Sequence, residues 1–204
     1  MAFTALASAD RTAQDLARQL PAIFRRLLRL CAPSATTAPA HTPPEQRLLA
    51  LHALVALAAR NPANRDGLRE AGALPLLIGL IHPDAPSDVA TLAAHALTHL
   101  AARHPANQEA IAFEGGIVAL VAFGARMARQ QPRAEQAEER SSVVERALYE
   151  LSLDSLHNNA LVLAARRAAA SGELAFDRPH EWHRFQTVSA THYGEHTTQL
   201  EHHT

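Results

Sequence analysis

Apolar side chains return at spacings of three and four early in the chain: Leu16, Leu20, Ile23, Leu27 and Leu30, with Arg18, Arg25, Arg26 and Arg29 between them. That is the period of a helix with one dry and one wet face. Pro21 interrupts the stripe. It lacks an N–H and suits a first turn better than a helix interior, so a break near Leu20 and a restart at Pro21 are predicted. From residue 32 to 45 the periodicity stops and Pro, Thr, Ser and Ala dominate. The pattern predicts an N-terminal amphipathic helical segment over 1–31 and a linker over 32–45.

Periodicity resumes at Glu45. A helix to Arg60 carries Leu48, Leu51, Leu54, Val55 and Leu57, and Pro62 ends it. A short helix over 63–71 stops at Gly72, a residue that tolerates the left-handed conformation of a helix end. Pro75 then opens Leu76-Leu77-Ile78-Gly79-Leu80-Ile81, read as a fully apolar, buried helix. His82-Pro83-Asp84-Ala85-Pro86 turns the chain, and Ser87 or Asp88 caps a long helix over 88–103. The cycle recurs as 106–114, Gly115-Gly116 and 117–129. A third long helix is predicted from near Ser142, followed by a last helix, Asn159 to Ala170, without a closing glycine.

The recurrence is literal. Ala53-Leu-Val-Ala-Leu-Ala-Ala-Arg-Asn-Pro-Ala-Asn64 returns as Ala96-Leu-Thr-His-Leu-Ala-Ala-Arg-His-Pro-Ala-Asn107, and Gly72 returns as Gly115, each 43 residues later. Ala147-Leu148-Tyr149-Glu150-Leu151 repeats Ala96-Leu97-Thr98-His99-Leu100 at an offset of 51, the extra residues falling in the polar stretch 126–140. A constant period of this size marks stacked helical repeats, in which insertions appear as loops or helix extensions.

Composition narrows the class further. The 204 residues are 48% hydrophobic but only 4% aromatic, and Ala and Leu, the strong helix formers, supply most of the apolar content. No β-branched run with period two suggests a sheet. The formal net charge of -1 provides no field to attract nucleic acid or an acidic membrane. Arg126, Arg129 and Arg133 make a local basic run that Glu135, Glu138 and Glu139 largely cancel, so no nucleic-acid partner is expected. Every basic residue is Arg, which excludes a phosphate-loop or Schiff-base lysine. Cys31 is the only cysteine and fits a reducing, intracellular setting, most simply the cytoplasm. No apolar run approaches the roughly 20 residues that span a bilayer. Asp10 and Asp15 argue against an organelle transit peptide in 1–31, and a helix capping the first repeat is the better reading.

Candidate chemistry is sparse. His95 and His99, at i and i+4, share a helix face, but a transition-metal site needs roughly three or four ligands and His52 is the only obvious third. No metal or cofactor is expected. Cys31 and His41 lack an orienting partner, and His180-Glu181-Trp182-His183 is one position short of the metalloprotease spacing. The His-rich residues 171–204 read as a mostly extended tail with Phe176, Trp182 and Phe185 as a possible anchor.

Short helix, Gly, Ala/Ile-Leu-Pro helix, turn, long helix with Ala-Leu-x-x-Leu: the chain over about 46–165 resembles the armadillo repeat, and Asn64-Arg-Asp-Gly-Leu-Arg-Glu-Ala-Gly-Ala-Leu-Pro-Leu-Leu matches its consensus closely. The resemblance implies an all-α fold, an armadillo-type right-handed helical solenoid of about three short or partial repeats. It also implies that the third helix of each repeat lines a concave groove. By that pattern the groove positions are His52 and Ala56, His95 and His99, and Arg146 and Glu150, with Thr91 and Arg103 along the same helix. In similar nuclear-import adaptors these positions are Trp and Asn and clamp basic peptides; no position here matches, so that ligand class does not carry over. The expected function is a non-catalytic interaction module binding an extended peptide or another protein. The alternative is a substrate-recognition or regulatory component of a ubiquitin-ligase-type assembly. So few repeats need an end cap, a longer array or a homodimer to cover their open faces.

Overall fold

A computed structural model describes residues 21–32, 43–59, 61–82, 85–129 and 134–174, with the side chains of 134–141 excepted. Among these residues there are nine α-helices and no strand. They are α1 (Pro21–Cys31), α2 (Pro44–Ala58), α3 (Pro62–Glu70), α4 (Ala73–Leu80), α5 (Ser87–Ala101), α6 (Pro105–Phe113), α7 (Gly116–Arg129), α8 (Ala134–Ser152) and α9 (Leu156–Ser171). The expectations for residues 1–20, for the linker between 33 and 42 and for the tail from 175 to 204 lie outside the described residues.

The long helices α2, α5 and α8 form the spine. α5 lies between the other two, and these are the most extensive pairings in the molecule. α4 packs on α5, α7 on α8, and α9 on α7. The buried apolar side chains form one contiguous core, dominated by Ala and Leu. Small Ala side chains let the long helices approach closely: Ala90, Ala93, Ala94 and Ala101 of α5 are fully buried. α1 covers the first end, burying Phe24, Leu27, Leu28 and Cys31, with Arg25, Arg26 and Arg29 exposed. The described part of α1 begins at Pro21, and the break expected near Leu20 lies outside the described residues.

Helix ends obey local chemistry. Gly72 and Gly115 both adopt φ 86°, the left-handed conformation expected between a short helix and the next one. Gly116 is needed for another reason: a Cβ there would lie 2.4 Å from Ile111 Cγ2 and 2.9 Å from the Ile111 carbonyl oxygen.

Four boundaries differ from expectation. α4 starts at Ala73, with Pro75 inside its first turn, and it is buried on one side only: Ala73, Leu74, Leu77 and Leu80 face the core while Pro75 and Gly79 are exposed. An all-apolar stretch hides its own amphipathicity, so sequence alone overstates the burial. Neither Ser87 nor Asp88 caps α5. Pro86 occupies the N-cap position, and the Asp88 carboxylate accepts from the adjacent Val89 N–H at 2.8 Å. α8 starts at Ala134, so much of the extra sequence in the third copy lengthens that helix. Finally, α9 does have a closing glycine: Gly172, at φ 81°. Arg166 stands where Gly72 and Gly115 turn the earlier copies, so the short helix runs on and ends later.

Candidate functional site

The last carbonyls of an α-helix have no partner within it. Here each long helix has its terminal carbonyls met by the helix that follows. Asn64 donates from Nδ2 to the Leu57 carbonyl at 3.0 Å, Asn107 to Leu100 at 2.9 Å, and Asn158 to Leu151 at 2.7 Å. The next residue repeats the device: Arg65 Nε donates to Ala58 (2.9 Å), Gln108 Nε2 to Ala101 (3.2 Å), and Asn159 Nδ2 to Ser152 (3.1 Å). The three asparagines have their own N–H groups accepted by the N-cap side chains Asn61, His104 and Ser155. Nine side chains at equivalent positions thus hold three long-helix ends.

Three of them also link neighbouring copies, Asn158 through Nδ2 to the Gln108 carbonyl at 3.5 Å. Arg65 donates to the Ala102 carbonyl beyond α5, and Gln108 donates to the Glu150 carbonyl of α8 at 2.9 Å. The positive guanidinium of Arg65 sits against two helix C-termini, where the macrodipole favours a cation. Burial lowers its pKa and the Glu150 charge opposes that effect. Sequence reasoning placed Arg65 in the repeat but gave it no role. The signal was present as the polar pair after Pro-Ala, Asn-Arg and then Asn-Gln.

Around this joint the structure gathers four of the sequence-predicted residues. His99 of α5 lies in the electrostatic field of His95 on its own helix, Arg65 of α3, and Arg146 and Glu150 of α8. Arg146 Nε donates to Glu150 Oε1 at 3.3 Å across one turn. The pair is asymmetric: the Arg146 side chain is 70% exposed and that of Glu150 12%. His99 is half-buried, and its pKa is lowered first by desolvation, then by the charges of His95, Arg65 and Arg146, with Glu150 acting the other way. The result is a polar patch at the α5–α8 boundary, with His95, the buried Arg65, Arg146 and Glu150 all within electrostatic reach of His99.

The remaining predicted residues stand apart. His52 is exposed on α2. The Thr91 hydroxyl donates to the Ser87 carbonyl at 2.6 Å within its own helix. Arg103 is exposed in the turn after α5 at φ 52°, a conformation more natural to glycine.

One His–Asp contact resembles catalytic chemistry. His104 Nε2 lies 3.2 Å from Asp66 Oδ1, which also accepts from Arg69 at 3.2 Å. Burial alone would raise the Asp66 pKa, but hydrogen bonds from Arg69 and His104, with their charges, hold it below the usual value. His104 Nδ1, however, accepts the Asn107 N–H, so one ring nitrogen caps α6 and the other joins it to α3. Cys31 is buried, and desolvation pushes its thiol up to about 12 against the opposing charge of Arg47, so it is poorly disposed to act as a thiolate. No group of three potential metal ligands occurs among the described residues. No single described helix is long and apolar enough to cross a membrane. The pair α6–α7, apolar enough together, is bent by 71° and buries Ile111, Ile117 and Leu120 in the core.

No protein-family model matches the chain, and comparison with characterised proteins finds no match.

Proposed function

We propose that this chain is a non-catalytic interaction module of armadillo type, a right-handed solenoid whose concave face, lined by α2, α5 and α8, takes an extended acidic segment of another protein. The observation that carries the reading is the patch at the α5–α8 boundary. There His95, Arg65, Arg146 and Glu150 all act on His99, and Arg146 pairs with Glu150. Glu150 is largely buried and already paired, whereas Arg146 reaches solvent. What an incoming chain meets first is therefore cationic. An acidic side chain gains a charge-assisted bond to Arg146 there, while a basic one must approach its guanidinium with the buried Arg65 behind it.

The literal repetition of the helix pattern supports the solenoid reading, since repeats that stack by translation leave one helix of each copy along a continuous surface. The lone buried thiol suits an intracellular location.

A peptide array with extended segments of graded acidity tests this. The wild-type chain is expected to retain acidic segments, and the double variant His99→Gln and Arg146→Gln to lose about tenfold in affinity at unchanged helicity, the scale of removing one or two charge-assisted contacts. Equal retention by the variant, or preference for basic segments, overturns the reading.

A further inference from the structure

The long helices bury one stripe against the next copy, and the last copy leaves that stripe open. Leu51, Val55 and Ala58 of α2 correspond to Ala94, Thr98 and Ala101 of α5 and to Glu145, Tyr149 and Ser152 of α8. Leu51, Ala58, Ala94 and Ala101 are buried, and Val55 is packed against the core. Thr98 is 7% exposed; Tyr149, in its place on α8, is 61% exposed. Positions i, i+4 and i+7 share one helix face, so this is a single surface, covered twice and bare the third time among the described residues.

α9 extends it. Arg166 pairs with Glu145, and Asn159 donates to the Ser152 carbonyl. These two contacts set α9 antiparallel beside α8 and place Leu163, which lies between Asn159 and Arg166 in sequence, opposite Tyr149. Leu163 is 57% exposed. The result is an apolar centre, Tyr149 and Leu163, with an ion pair at one end and amide and hydroxyl groups at the other. Terminal repeats ordinarily present a polar outer face; this one keeps two large apolar side chains in the middle.

We infer that this end of the stack binds a second copy of the same chain, end to end about a two-fold axis. Two observations select that partner. The patch carries one acid and one base, Glu145 and Arg166, so a two-fold sets each against its opposite across the interface. Among the described residues the other end of the stack is covered by α1, whose outer face shows Arg25, Arg26 and Arg29, so head-to-tail growth finds no matching described surface and a two-fold pair closes on itself.

Sedimentation equilibrium of the full chain tests this, with Leu163→Arg and Tyr149→Ser as disrupting variants and His99→Gln as a control at the peptide-binding patch. The wild type and the control are expected to sediment as dimers. Each disrupting variant, at unchanged helicity, is expected to dissociate at least about thirtyfold more readily, the effect of losing a central apolar anchor. In a mixture of Leu163→Cys and Tyr149→Cys chains the two kinds of thiol should bridge on mild oxidation, because a two-fold that sets Glu145 against Arg166 also sets Leu163 against Tyr149; Cys31 is buried and does not compete. A wild type of single-chain mass, a dimer indifferent to Leu163→Arg and Tyr149→Ser, or a dimer that fails to bridge overturns the inference.

Discussion

Asn107 and Asn158 perform the same task in the middle and last copies of the repeat, each reaching back to a carbonyl at the end of its long helix. Their neighbours do not. Gln108 is buried and serves two carbonyls, Ala101 in its own copy and Glu150 in the next. Asn159 is exposed and serves two in its own copy, Ser152 and Ser155. The side chain is one methylene shorter in the last described copy. Bonds within a copy are thus set locally, whereas bonds between copies depend on position in the stack.

The largest break in that comparison comes from the core. Leu97→Ala opens a cavity at the centre of α5 and should destabilise by about 2–5 kcal/mol. Tyr149→Ala, on the outer stripe of α8, should change the stability of the isolated chain by about 0.5 kcal/mol or less. Urea unfolding of both variants below the dimerisation range measures the contrast, and comparable losses would mean that Tyr149 is covered in the single chain.

Next comes the joint. Gln108→Ala removes a buried donor from the Ala101 and Glu150 carbonyls, the first of which keeps the His104 N–H, and should destabilise by about 1–3 kcal/mol, whereas Asn159→Ala should stay within about 0.5 kcal/mol. A reversed order would show that the last copy, not the middle one, carries the link. Asn107→Ala belongs with Gln108, although its Oδ1 is buried without a partner, and removing that atom offsets part of the lost bond.

A smaller effect should appear with pH. The folded state holds the His99 pKa below its ordinary 6.5. The unfolded chain therefore takes up the proton first, and stability falls as pH drops below about 6.5. Asp66, held below 3.8, acts in the same direction but at lower pH. Unfolding titrations between these two regions should show a steeper loss for wild type than for His99→Gln. An acidic peptide beside His99 should reverse the local preference and bind with proton uptake near pH 6, seen as buffer-dependent heat in calorimetry.

Smallest of all is the turn after α5. Arg103→Gly relieves a left-handed backbone and should raise stability by about 0.5–1 kcal/mol. If Arg103 also contacts the acidic ligand, the same variant should bind it more weakly.

Much of this molecule is written locally in its sequence. The repeat period, the pairing of Gly72 with Gly115 and the face shared by His95 and His99 all follow from spacing and backbone chemistry, which act over a few residues. Even the missed Gly172 belongs to this class, since a longer search past Arg166 reaches it. Arg65 does not. Its link to Ala102 joins residues 37 positions apart, and its proximity to His99 and Glu150 exists only once α3, α5 and α8 are packed. The same holds for the bare stripe. Glu145, Tyr149 and Ser152 carry the same helical spacing as Ala94, Thr98 and Ala101, and only the absence of another described helix beside α8 makes them a surface. The sequence determined the helices and their ends because those depend on neighbours in the chain. The tertiary structure decided the polar patch and the open end because burial and charge proximity depend on neighbours in space.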